Sequence, residues 1–159
     1  MHPTAQKVAD AAHELGLDIT IKEFADTTRT AEDAAKAIGC TVAQIVKSLL
    51  FVVDGQPTMA LVSGPNRLDE AKLAALCGVG RKKVKRADAA TVRAATGFVI
   101  GGVPPFGHQA KLPVYIDPDF WQFEAIWAAA GTPNAVFAIT PDELVRVTKG
   151  VRSDLKVDT

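Results

Sequence analysis

The sequence predicts a single α+β domain, residues 1–159, built on a mixed, largely antiparallel sheet. Three observations lead there. Val46–Val53 and Pro57–Ser63 are apolar, strand-like runs on either side of Asp54-Gly55, a favoured tight-turn pair. Helix-type and strand-type patterns follow one another irregularly, and hairpin signals outnumber the regular alternation that a parallel α/β sheet requires. The chain has 159 residues, 48% apolar and 23% charged, which suits one soluble globular domain with a sizeable core.

The elements follow in order. Thr4 is placed to cap a helix running to about Leu15, with Val8, Ala11, Ala12 and Leu15 on one face and Gly16 as its stop. Asp18–Phe24 alternates as a half-buried strand does, with Ile19 and Ile21 inward. Thr30-Ala-Glu-Asp33 opens a short helix with Ala31, Ala34, Ala35 and Ile38 as its stripe, closed by Gly39; Thr41–Val46 adds a further turn. In the hairpin, Leu49–Val53 is almost continuously apolar, so both faces of that strand should be covered. Leu68–Cys77 reads as an amphipathic helix and Asp88–Ala95 as a short one capped by Asp88. Phe123–Ala130 and Ala135–Ile139 read as strands around a Gly131–Asn134 turn. Thr140-Pro-Asp-Glu143 has the cap, proline and acidic first turn that start a helix over Pro141–Val147.

Gly97–Asp117 holds four of the twelve glycines and three of the nine prolines. It reads as a stiff loop between two strand-like runs, Phe98–Ile100 and Pro113–Asp117. Gly101 and Gly102 allow close approach to the backbone, while Pro104 and Pro105 fix φ and remove amide donors. Rigid loops on a sheet scaffold are common sites of binding and catalysis.

Charge is zero overall, yet Arg81, Lys82, Lys83, Lys85, Arg86 and Arg93 gather six of the eighteen basic residues in a short stretch. Such a patch suits nucleic acid. The two cysteines, Cys40 and Cys77, form no Cys-x-x-Cys, and both are expected to be reduced, as in a cytoplasmic protein. No run reaches membrane-spanning length and no signal-peptide pattern opens the chain. His2, His13 and His108 are scattered and no nucleotide-binding glycine motif is present, so neither metal nor cofactor is expected. Lys47 stands out at the start of an apolar strand, where a charge either snorkels to solvent or is put to use.

Taken together, Val46-Lys47-Ser48-Leu49-Leu50 before a hairpin, Gly64-Pro-Asn-Arg-Leu-Asp69 before a helix, Gly101-x-x-x-Pro105-Phe106-Gly107, Pro113–Asp117, and Ala130-Gly131 before a final strand and helix resemble the YbaK/prolyl-tRNA synthetase-associated domain. The resemblance spans nearly the whole chain in order. It implies a barrel-like sheet flanked by helices and a free-standing editing deacylase. Such an enzyme hydrolyses a mischarged amino acid from the 3′ end of tRNA, with aminoacyl-tRNA as its partner and a synthetase as a further one. It also implies no membrane and a monomer or homodimer. By the same resemblance Lys47 supports the terminal adenosine and its phosphate, and Gly101, Gly102 and Pro105 form the catalytic loop. Ser48, Val103, Phe106, Ala129 and Gly131 then contact substrate. His108, just after the loop, is not a fixed family feature, but it stands where it could orient water or touch the ribose. The charge patch at Arg81, Lys82, Lys83, Lys85 and Arg86 is expected to contact tRNA. A methyl at Gly102 is expected to obstruct the aminoacyl group with little effect on stability.

Two positions depart from the family pattern. Pro104 and Ala129 stand where many relatives carry serine, which points to a small apolar amino acid of the alanine or cysteine class, with tRNA(Pro) as the carrier. The competing readings are a non-catalytic module that binds a nucleotide or tRNA end, and an interaction domain that uses the same pocket for another ligand.

Overall fold

The computed structural model describes residues 1–25 and 30–158. The first helix, α1 (Pro3–Glu14), is capped not by Thr4 but by His2, whose Nδ1 accepts the Thr4 N–H at 3.1 Å. Pro3 then occupies the first helical position, where its missing N–H costs nothing. The strand expected over Asp18–Phe24 contracts to β1 (Ile21–Glu23), because only these residues find a partner strand. In α2 (Ala31–Ile38) the Thr30 hydroxyl accepts the Asp33 N–H, and Gly39 closes the helix at φ 87°. The further turn is a 3-10 turn over Val42–Gln44.

The hairpin is as expected: β2 (Val46–Val53) and β3 (Gln56–Ser63) pair antiparallel from Val46↔Ser63 to Val53↔Gln56. Asp54 at φ 49° and Gly55 at φ 82° make the left-handed turn that matches the twist of the strands. Next come α3 (Glu70–Cys77), capped by Asp69, then a 3-10 turn over Arg81–Lys83, β4 (Val84–Arg86), and α4 (Ala89–Thr96), capped by Asp88. The remaining elements are β5 (Val114–Ile116), a 3-10 turn over Pro118–Gln122, β6 (Ile126–Ala129), β7 (Ala135–Ile139), α5 (Pro141–Thr148) and β8 (Val151–Arg152). Phe98–Ile100 is not a strand; it leaves α4 as an irregular turn, with Val99 48% and Ile100 57% exposed.

The strands form two sheets, β1-β7-β6, all antiparallel, and β4-β2-β3-β5-β8, in which β3 and β5, and β5 and β8, run parallel. Among the described residues one parallel bridge, Ile45↔Trp127, joins them, and the barrel-like outline stays open. Both faces of β2 and β3 are covered. Leu50, Met59 and Leu61 enter the main core with Phe98, Phe106, Phe120 and Phe137. Phe51, Val53, Ala60 and Val62 pack instead on Leu73, Ala74 and Leu155. No helix among the described residues is long and apolar enough to cross a membrane.

Candidate active site

The site arises where the two sheets part. β4 pairs only with Phe51–Val53 of β2, and its last link is the Ala87 N–H donated to the Leu50 carbonyl at 3.0 Å. That carbonyl points away from β3. Ser48, two residues earlier, must point its main chain the same way, into the gap left where β4 has ended. β6 and β7 form the opposite wall, the start of α2 a third, and the loop at Ile100–Val103 a fourth. The cleft between these walls, open to solvent on one side, measures about 340 Å³, within the range of small-molecule sites. Its wall is mostly small and apolar, including Ala31, Ala34, Ala129, Ala135 and Val136. The polar side chains on it are Thr30, Lys47, Ser48 and Arg86, together with the indole of Trp127. No described lining residue is Asp, Glu, His or Cys.

Lys47 is half-buried and donates from Nζ to the Asn66 carbonyl at 2.6 Å. Desolvation pushes its pKa down, Arg86 adds to that, and Glu32 and Asp117 oppose it. An ammonium has three donors, and a neutral carbonyl satisfies one of them. Arg86 sits over the Phe51 ring, its guanidinium carbon 5.6 Å from the ring centroid, which fixes it at the cavity edge. Two cations with no carboxylate among the described lining residues make a mouth suited to an anion. Ser48 Oγ is buried and has no hydrogen-bond partner among the described residues, so no base is present to activate it as a nucleophile.

The loop divides its roles differently from expectation. Gly101, at φ 91°, lines the cavity, with open space where a Cβ would lie apart from the Pro133 ring at 3.7 Å. Gly102 is not in the left-handed region and does not line the cavity. A Cβ there would lie 2.7 Å from the Gly131 carbonyl oxygen and 2.8 Å from Thr132 Cα. Gly131 is in turn pressed against the Thr4 carbonyl of α1. The two glycines thus let three backbone segments stack, and their role is architectural. The Gly102 N–H is committed to the Val99 carbonyl at 3.0 Å.

Of the other expected site residues, Val103 and Ala129 line the cavity with Lys47, Ser48, Arg86 and Gly101. Pro105 and Phe106 are buried behind it, and Phe106 packs on Phe137 with ring centroids 5.5 Å apart. Arg81 pairs with Glu70 at 3.2 Å and Lys83 with Asp54 at 3.9 Å, while Lys82, Lys85, Arg86 and Arg93 form no ion pair among the described residues. Thr30 and Trp127 line the cavity unforeseen. A helix cap and an aromatic within a strand carry no functional signal in sequence. Asn66, which bonds Lys47, was not foreseen either, although it lies within the Gly64–Asp69 stretch of the resemblance.

His108 does not line the cavity. It is largely withdrawn from solvent, and its Nε2 donates to the Pro104 carbonyl at 2.6 Å. Burial holds the imidazole below its ordinary pKa, and the bond to Pro104 offsets only part of this. Unfolded, the group titrates near about 6.5. Below that pH the unfolded chain takes up a proton that the folded ring resists. The contribution to stability is therefore present above about pH 6.5 and lost on acidification. His108→Gln should flatten this part of a urea-midpoint profile taken between about pH 5 and pH 7.5; an unaltered slope would show that His108 does not carry it.

Comparison with known proteins decides the family. The profile described as an aminoacyl-tRNA editing domain matches residues 25–147. The chain belongs to that family. It is an editing hydrolase of the aminoacyl-tRNA deacylase class. An uncharacterized protein of Bacillus subtilis, YwhH, is 33% identical over 125 residues, 78% of each chain. The proline–tRNA ligase of Elusimicrobium minutum is 38% identical over 132 residues, 80% of this chain but 22% of the ligase. The editing domain thus spans about a fifth of that ligase. A crystal structure of a candidate trans-editing enzyme for prolyl tRNA synthetase superposes at a TM-score of 0.94, with 43% identity and 99% of each chain covered.

Proposed function

We propose that this editing domain acts in trans, as a single domain in the cytoplasm, and removes a mischarged small amino acid of the alanine or cysteine class from tRNA(Pro). One observation carries the reading: the cavity joins a cationic mouth, Lys47 and Arg86, to a pocket whose described lining is mostly small and apolar and includes no Asp, Glu, His or Cys. The mouth suits the phosphate of a terminal nucleotide. The pocket suits a short side chain, and Ala129 adds no hydroxyl to it. The proline link comes from the relatives, which are proline–tRNA ligases and a candidate trans-editing enzyme.

The chemistry asks little of side chains, because the ester is already activated. Water attacks the ester carbonyl, the bond to the ribose oxygen breaks, and that oxygen takes one of the water's protons while the other passes to solvent and the amino acid departs as a carboxylate. The neighbouring ribose hydroxyl can assist the attack. The protein holds the phosphate, orients the ester against the loop at Gly101 and excludes bulk water.

Lys82, on the turn before β4, and Lys85, on β4 itself, are exposed cations outside the cavity lining. If tRNA passes over them, neutralising Lys82, Lys85 and Arg86 together should flatten the dependence of log K on log salt by roughly 0.7–0.9 for each phosphate that is no longer neutralised. An unchanged slope would leave these residues as a solvated face. The substrate assignment is tested with tRNA(Pro) charged with alanine, cysteine, serine or proline. The expected order is rapid loss of alanine or cysteine and slow loss of proline; preference for serine would overturn it.

A further inference from the structure

We propose that Asn66 is a positioning residue for this reaction: clamped by the Asp117 and Asp119 carboxylates, it fixes the Lys47 ammonium at the cavity mouth. The proposal rests on the reading of Lys47 as the group that meets the substrate phosphate. The geometry begins with register. Lys47 lies opposite Val62 in the hairpin, so the Ser63–Asn66 turn that leaves β3 folds back beside it. Gly64 makes this possible, since a side chain there would strike the Val42 carbonyl. The turn then offers its last carbonyl, that of Asn66, to Lys47 Nζ at 2.6 Å.

The side chain of Asn66 holds that carbonyl in place. Its amide nitrogen donates to Asp117 Oδ2 at 2.8 Å and to Asp119 Oδ2 at 2.7 Å. An amide carries two such donors, and both are used. Lys156, from the C-terminal segment, pairs with Asp119 at 2.9 Å and completes the arrangement. Asp117 is 0% exposed, a position where a carboxylate is retained only if its oxygens are satisfied. One oxygen, Oδ1, accepts the Asp119 N–H at 2.9 Å and so caps the 3-10 turn that follows β5. That local task accounts for Oδ1 alone. The other, Oδ2, accepts the Ser63 N–H at 3.0 Å and the Asn66 amide, the two ends of the turn that carries the carbonyl. Asp117 thus spans from its own turn to the one that holds Lys47. The charged groups acting on Lys47 are Glu32 on α2, Arg86 on β4 and Asp117 beyond β5. None of them bonds Lys47 directly, which leaves the Asn66 carbonyl to set where the ammonium stands.

A purely structural turn and a positioning turn differ in how they couple to Lys47. Single-turnover deacylation is measured for the wild type, Asn66→Ala, Lys47→Ala and the double variant, with melting temperature on each sample. The Lys47 side-chain carbon resonance, assigned by its loss in Lys47→Ala, is followed with pH in wild type and Asn66→Ala. Asn66→Ala should lower the rate about tenfold, as a misplacement of less than about 1 Å does. It should cause no further loss in the Lys47→Ala background. It should also move the Lys47 resonance, with its titration midpoint shifted up towards that of an exposed lysine. Losses that multiply in the double variant, or an unmoved Lys47 resonance, would overturn the proposal. If Lys47→Ala alone keeps the full rate, the phosphate role of Lys47 fails, and the resonance still decides whether Asn66 positions it. Asn66→Ser, too short to reach both carboxylates, gives the same comparison if the alanine variant is poorly folded.

Discussion

Lys47→Ala is expected to lose most deacylation while the fold stays intact. Hydrogen bonds to charged groups are worth about 1.5–3 kcal/mol, so losing one from the ammonium to a substrate phosphate should lower kcat/KM about ten- to a hundredfold. Stability should hardly change. Lys47 makes a single bond to a carbonyl, and its removal relieves a desolvated charge. Nothing else in the core depends on its head group. The check is kcat/KM alongside melting temperature on the same sample. A folded variant with the wild-type rate would end the assignment of Lys47 to substrate binding.

Gly102→Ala is expected to destabilise the protein. The added methyl would meet the Gly131 carbonyl and Thr132 Cα at 2.7 and 2.8 Å, and these are backbone atoms of a stacked, buried segment. Overpacking of this kind costs about 1–3 kcal/mol. At this chain length that corresponds to a drop in melting temperature of roughly 2–12 °C. Activity should fall as well, because the same displacement pushes the Gly101 and Pro133 walls apart. Gly101→Ala is the contrast. Its Cβ has room, and its strain comes from φ 91° alone, about 1–2 kcal/mol. Scanning calorimetry on the two variants decides the matter; a Gly102→Ala protein that melts with the wild type would contradict the stacked arrangement.

Much of the fold was legible because it is local. Asp54-Gly55 specifies its turn by two residues, and Thr30, Asp88 and Thr140 each cap a helix within three residues of themselves. What depends on distant partners was not legible. The length of β1 is set by β7, and the parallel pairing of β5 between β3 and β8 leaves no mark in β5 itself. The site divides along the same line. Lys47 was conspicuous because a charge opens an apolar strand. Arg86 was visible as one of a cluster, but its separation from Arg81 and Lys83 depends on the partners Glu70 and Asp54. Two adjacent glycines look alike in sequence. Which of them faces the cavity and which meets another backbone is decided by the Gly131 segment, far along the chain. His108 read as a substrate contact beside the loop, but its ring is held by the Pro104 carbonyl of that same loop, outside the cavity lining.

The central claim is that this chain by itself hydrolyses the ester of a mischarged tRNA. The most direct test is a single-turnover assay, with the protein in excess over alanyl-tRNA(Pro), following the release of labelled alanine against the same tRNA in buffer. The account predicts ester loss well above the spontaneous rate, and about ten- to a hundredfold slower in Lys47→Ala. Saturable binding of the tRNA with the ester left intact would contradict it, and would make the cavity a recognition site for the tRNA end.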